Sequence, residues 1–523
     1  MKRVSMLGAL IFFGMLAAAA PGAAQMPEPG QRPAEAKAAG PQQPPPPPPK
    51  EESVVTEHSV RIGGQSVPYK ATVGSILIKN DQGEATALIY YTAYTRTDVS
   101  NPSERPLSFL YNGGPGSSSI FVHMGAYGPR RIVTVDAAPT PPAPFQIVDN
   151  QYSLLDKSDL VFIDPVGTGF SHAVGKSKDR DFWGVDEDVN SLAQFIYSYV
   201  SRNGRWNSPK FLIGESYGTF RSVALGNYLQ SHDDMYLNGI VLMSNVLDLN
   251  TISFHPGEDL PYILYLPSYA ATAWYHKMLQ NPPADLPGFL QQAREFAQTT
   301  YAEALLKGDQ ISDADKDAVA KQISHFTGLS EDYVLKADLR VTLPQFMAEL
   351  QRLRGLATGR LDSRYSGPLV DPLSEYGPYD PQSTAMEGAF AGAWNQYVRE
   401  ELKYNPQMEY HVSASGAGRF WDWKHAGGQG FGFPGAPNVE RDLVQALVTN
   451  PHLQIEVENG YFDLATPFFE TEYTMHHLGL PKNLQSHVQE KYYESGHMMY
   501  VHQASLAELK ANVGSFIDAN SKH

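Results

Sequence analysis

In the run "FLIGESYGTF", residues 211–220, Ser216 stands between Gly214 and Gly218. A serine hydroxyl works as a nucleophile when a sharp strand-to-helix turn lifts it above a sheet edge and a base takes its proton. Flanking glycines suit such a turn, because a Cβ there collides with the folded-back chain. The pattern is short and arises by chance in long chains, so Ser216 needs partners: a histidine base, a carboxylate to orient it, and N–H groups for the oxyanion. Asp463 follows "LQIEVENGYF" and His497 follows "EKYYESG", each just past a stretch of strand character. Taken alone, Asp463 reads as an ordinary turn aspartate and His497 as one of 16 histidines. Their shared placement, in the chain order nucleophile, acid, base, is what singles them out. Tyr217 offers the N–H that follows the serine. The glycine-rich "YNGGPGSSS" (111–119) offers a backbone free of side chains for a second donor, and reads equally as turn chemistry.

These groups need a frame. "HSVRIGGQSVPYKATVGSILI" and "ATALIYYTAYT" alternate apolar and polar residues and are expected to form antiparallel strands. "LSFLYNGG" (107–114), "DLVFIDPVG" (159–167), "KFLIGESYG" and "LNGIVLMSNV" (237–246) are short apolar runs, as buried parallel strands require. "DVNSLAQFIYSYVSR" (188–202) and "FRSVALGNYLQSH" have helical spacing between them, so the sheet is expected to be mostly parallel with helices on its faces. After about 250 the pattern turns helical, with "DAVAKQISHFTGL", "EDYVLKADL" and "LPQFMAELQRLRG", then a Pro/Gly loop, "SGPLVDPLSEYGPYDP". Strand character returns at 453–463 and 489–497, and "SLAELKANVGSFI" closes the chain as a helix.

The chain has 523 residues, 42% hydrophobic and 18% charged, enough for a sizeable core. A net charge of −16 without a basic stripe argues against a nucleic-acid partner. Residues 1–24 read as a signal peptide: Lys2 and Arg3, then an apolar run, then small residues. Residues 25–57, with "QQPPPPPPK", read as a Pro/Ala-rich linker. The expected location is therefore the periplasm or the secreted fraction. With no cysteine there is no disulfide, no thiol nucleophile and no cysteine metal site. "GFGFPG" (430–435) follows no strand and opens no helix, which argues against a dinucleotide site. His476 and His477 have no ligand set around them, so no metal and no cofactor are expected. "FWDWKH" (420–425) reads as core packing before pocket lining.

The motifs "YNGGPGSSS", "AYGPRRI", "NQYSLLDKSDLVFIDPVGTGFSHA", "GESYGTF", "ENGYFDLATP" and "GHMMY" occur in one order. Together they resemble the serine carboxypeptidase family, over about 60–250 and 440–520, as an exported bacterial member. The resemblance implies an α/β-hydrolase fold: a central, mostly parallel sheet flanked by helices, with an inserted helical cap. The core would occupy 58–250 and 441–523, and the cap 251–440. It implies that Ser216 is the nucleophile, His497 the general base and acid, and Asp463 the residue orienting it. Gly114 and Tyr217 would donate to the oxyanion. Asn112 and Glu215 would bind a substrate's C-terminal carboxylate, with Gly113 and Met498 in the same substrate site. Glu215 can serve there only when protonated, since two facing carboxylates repel. The implied activity is removal of a C-terminal residue from a peptide with a free C-terminus, favoured in acid; the sequence leaves the oligomeric state open. Leu110, Ser117, Ala126 and Tyr500 stand where the family usually carries tryptophan, cysteine, an acid and proline. Ala126 keeps open an esterase or acyltransferase on the same triad. A catalytically silent binding protein of the cell envelope is the alternative of another class.

Overall fold

Alternation of apolar and polar residues past position 52 builds the antiparallel part of one sheet. The computed structural model describes residues 49–377, 379–426 and 437–522. The expected signal peptide, most of the polyproline run and "GFGFPG" lie outside the described residues. Strands β1 (Ser53–Ile62), β2 (Gln65–Lys79) and β3 (Ala85–Arg96) pair antiparallel in sequence order. β1 begins inside the range read as linker. Its β-branched Val54, Val55 and Thr56 favour extended backbone, and it pairs with β2 along its whole length.

The apolar runs form β4 (Leu107–Tyr111), β5 (Asp159–Ile163), β6 (Lys210–Glu215) and β7 (Gly239–Met243), and the two later stretches of strand character form β8 (Gln454–Gly460) and β9 (Val488–Tyr493). Across the ten-stranded sheet the order is β1-β2-β3-β5-β4-β6-β7-β8-β9, with the short strand His172–Ala173 beside β3. β3 meets β5 antiparallel, and every pair from β5 to β9 is parallel. The order reverses at β4, whose neighbours are β5 on one side and β6 on the other. The carboxyl ends of strands at such a reversal are where open α/β sheets bind ligands.

The helices that follow these strands are α1 (Val185–Arg202), α2 (Tyr217–His232), α3 (Leu260–Tyr275), α4 (Leu286–Phe296), α5 (Asp313–Thr327), α6 (Glu331–Lys336) and α7 (Leu343–Glu349). They continue with α8 (Pro381–Glu400), α9 (Glu440–Thr449), α10 (Phe468–His477) and α11 (Gln503–Asn520). Side chains alternate between the sheet faces. Phe109, Val161, Leu212 and Leu242 pack with α1, α2 and α9. Leu110, Phe162, Phe211 and Val241 pack with α8 and α11. The range 251–440, expected as one cap, divides. Helices α3–α7 share a third cluster with Phe462, Leu464, Phe468 and Phe469, whereas α8 lays Phe390, Trp394 and Tyr397 on the sheet's own core. Among the described residues no helix is long and apolar enough to cross a membrane.

One core carboxyl makes stability depend on pH. Glu470 on α10 is fully buried; its Oε1 accepts from Thr251 Oγ1 at 2.7 Å and Thr474 Oγ1 at 2.9 Å. Its Oε2 has no partner, and burial pushes its pKa from 4.5 up to about 8. The folded state thus holds this proton more tightly than the unfolded one. Stability is full below about 4.5 and falls as pH rises through about 8, by at most about 1.4 kcal/mol per pH unit for one group. Glu470→Gln needs no proton, so its urea midpoint is expected to fall less than that of the wild type between pH 5 and pH 8. Equal falls would reject this role.

Candidate active site

Gly214 is the penultimate residue of β6, just before the chain doubles back into α2: a Cβ on it would lie 2.1 Å from the Gly218 carbonyl oxygen. Ser216 sits at the apex with φ 60° and ψ −130°, a strained conformation for a residue with a side chain. Its N–H donates to Met243 O at 2.9 Å, and its carbonyl accepts from Thr219 N at 2.8 Å. The strain is thereby held by β7 on one side and the first turn of α2 on the other. Ser216 is half-buried, beside the fully covered ends of β4 and β6.

The glycine-rich loop after β4 runs against the same helix start. A Cβ on Gly113 would lie 2.4 Å from Tyr217 N and 2.7 Å from Gly218 N. Those amides belong to the first turn of α2, which has no carbonyl of its own to bond. Gly114 follows with φ +106°, and Gly113 O accepts from Ser117 N at 3.0 Å, which tightens the loop. The backbone at Gly113 and the N–H of Tyr217 are thus brought together next to Ser216, with Gly114 the following residue of the loop.

Asp463 and His497, in the loops after β8 and β9, meet at 2.7 Å between Oδ2 and Nδ1, both buried. The same oxygen accepts from Thr466 Oγ1 at 2.9 Å, and Oδ1 accepts from Ala465 N and Thr466 N at 2.7 and 3.0 Å. Burial opposes the imidazolium, but the charge and hydrogen bond of Asp463, with Glu215 beyond, outweigh it and set the His497 pKa above its usual value.

The segment Arg360–Arg364, inside the range expected as cap, holds both of these turns. His497 N donates to Leu361 O at 2.7 Å, and Gly496 N to Asp362 Oδ2 at 3.2 Å. Leu464 N donates to Arg360 O, and Ser363 N to Phe462 O. Asp362 is fully buried and paired with Arg364, which also reaches Ser495 Oγ and Asp136. Nothing in "GRLDSR" announces this, because the bonds join residues far apart in the chain, 134 positions for Gly496 and Asp362.

Glu215 ends β6, and Asn112, the residue after β4, lies beside it. Asn112 Nδ2 donates to Glu215 Oε1 at 2.7 Å, while its Oδ1 accepts from Val122 N at 3.1 Å, which fixes the amide orientation. Burial pushes the Glu215 pKa up to about 7 against the pull of His497, Tyr500 and Asn112. Met498 is buried in the core next to His497. Trp421 is buried, with its ring 5.3 Å from that of Tyr217. Trp421 and Trp423 therefore pack against Tyr217 behind the Ser216 turn, whereas Phe420 is exposed.

Residues 64–282 match the serine carboxypeptidase family model. Serine carboxypeptidase-like 45 of Arabidopsis thaliana is 30% identical over 219 residues, 38% of this chain and 42% of that protein. Serine carboxypeptidase-like 8 of the same plant is 26% identical over 207 residues, 38% of this chain and 44% of that one. The chain thus spans less than half the length of these curated relatives. The crystal structure of Kex1, a prohormone-processing carboxypeptidase from Saccharomyces cerevisiae, superposes with a TM-score of 0.55 at 16% identity. That superposition covers 86% of this chain and 92% of that one. Residues 64–282 thus resemble the serine carboxypeptidase family, and the chain has an α/β-hydrolase fold.

Proposed function

We propose that this protein is a serine carboxypeptidase that releases the last residue of a peptide through an acyl-enzyme on Ser216. The observation that carries the reading is Glu215: a buried carboxyl adjoining the nucleophile in the chain, bonded to Asn112, with its pKa raised to about 7. A protonated Glu215 and the Asn112 amide can both donate to a terminal carboxylate, which a general esterase does not require. In the proposed reaction His497 Nε2 takes the Ser216 proton as Oγ attacks the scissile carbonyl. Gly114 N and Tyr217 N receive the oxyanion, and Asp463 holds the imidazolium. His497 then gives the proton to the leaving amine. Water, deprotonated by the same imidazole, releases the peptide and restores Ser216. Ala126, buried beside this site where the family carries an acid, favours a second reading, an esterase or acyltransferase on the same triad.

The test compares an N-blocked dipeptide with its C-terminal amide between pH 5 and pH 9, with Ser216→Ala as control. His497 titrates in both reactions, so its contribution cancels in the ratio of kcat/KM values. The ratio is expected to favour the free acid at low pH and to fall as Glu215 ionises, through about 7. Both activities should vanish in Ser216→Ala. A ratio near one at every pH would sink the carboxypeptidase reading and leave the esterase or acyltransferase.

A further inference from the structure

Two buried oxygens beside the nucleophile lack an aligned partner: Glu215 Oε2 and the hydroxyl of Tyr500. A buried polar atom left unpaired is costly, so such atoms are usually matched or functional. Tyr500 lies in the single turn Met499–Val501, three residues beyond His497. Its ring fills the place of a Gly125 side chain: a Cβ there would lie 2.5 Å from the ring. Ala126, the next residue, brings no polar group. The hydroxyl lies close enough to the ends of β4 and β6 for Glu215 and Asn112 to act on its pKa. Glu215 already spends Oε1 on Asn112, which leaves Oε2 for Tyr500. The other groups whose charge bears on Glu215 are His497 and Asp463. Tyr127, also buried without a partner for its hydroxyl, feels Glu458 and Glu456 before Glu215.

We propose that Tyr500 is a positioning residue for terminal-carboxylate recognition, its hydroxyl donating to Glu215 Oε2 and fixing the orientation in which Glu215 and Asn112 meet the substrate. This rests on the carboxypeptidase reading above. A phenol stays a donor over the working range, because burial raises its pKa well above the ordinary value. Its bond favours the ionised carboxyl, so removing it lets Glu215 hold its proton to higher pH.

The experiment measures the free-acid to amide ratio of kcat/KM from pH 5 to pH 9 in wild type, Tyr500→Phe and Tyr500→Met, normalised by fluorophosphonate titration of Ser216. Both variants fill the space beside Gly125 without a hydroxyl, so one folding failure leaves the other. The expected result is an alkaline midpoint raised by about one pH unit in both variants, and a ratio at pH 5 lowered roughly fivefold, the scale of one hydrogen bond. A midpoint that stays in place in either folded variant overturns the role of Tyr500 and leaves the carboxypeptidase reading standing. A wild type without free-acid preference overturns that reading, and the role of Tyr500 with it.

Discussion

Asp463→Asn is expected to lower kcat by about 10⁴-fold with little change in KM or in the unfolding midpoint, because an asparagine at this position selects the wrong imidazole tautomer. Asp463 uses both oxygens as acceptors: Oδ1 for two backbone N–H groups, and Oδ2 for the Thr466 hydroxyl and His497 Nδ1. Asparagine has one acceptor and one donor end. The two backbone amides hold the acceptor end, so the NH₂ faces His497 Nδ1. Nδ1 must then accept, the proton moves to Nε2, and Nε2 can no longer take the Ser216 proton. Thr466 can rotate its hydroxyl and the side chain keeps its volume, so the fold survives. The imidazolium also loses the charge that lifts its pKa. Steady-state kinetics on the blocked dipeptide, with fluorophosphonate labelling rates beside them, check this. A loss below tenfold would show that Asp463 does not orient the base.

The parts legible in the sequence were those whose signal is local. β4 to β7 appear as short apolar runs because both faces are covered, whereas β8 and β9 show only strand character, and Asp463 and His497 stand out because each follows one of those two strands. Helix α3 was hidden: it is apolar on all sides and contains Pro267, so it has neither an amphipathic period nor an uninterrupted helical pattern. α8 was hidden for a related reason. Its buried stripe interleaves Ala385, Ala389 and Ala393, which carry little hydrophobic contrast, and also covers the polar Gln382, so the larger Phe390, Trp394 and Tyr397 do not stand out as a period. The segment Arg360–Arg364 was illegible altogether, since its contacts with the Asp463 and His497 turns exist only once the chain has closed. Tyr500 was visible as a departure from a family pattern, but its relation to Glu215 depends on the space that Gly125 leaves.

Arg221 shows how a buried charge behind the site supports the chemistry in front of it. It is fully covered, donates from Nε to Asp188 Oδ2 at 2.6 Å and from a terminal nitrogen to Asn112 O at 2.7 Å, and lies between the rings of Tyr111 and Tyr217. It therefore ties α1 to α2 and fixes the backbone that leads into Gly113 and Gly114. Arg221→Met keeps most of the volume but leaves the Asp188 carboxylate buried without a counter-charge, which is expected to cost about 3–5 kcal/mol. Burial already raises the Asp188 pKa against the pull of Arg221. Without the arginine it rises further above the unfolded value, so the variant loses stability as pH climbs from that value towards the raised one. The deficit in urea unfolding should therefore be larger at pH 8 than at pH 5. Arg221→Met combined with Asp188→Leu removes the orphaned charge and should recover much of the stability, but not the bond to Asn112. Turnover in the double variant should stay low after stability returns. Recovery of both together would mean that Arg221 serves the fold alone, and that the loop at Gly113 holds its shape without it.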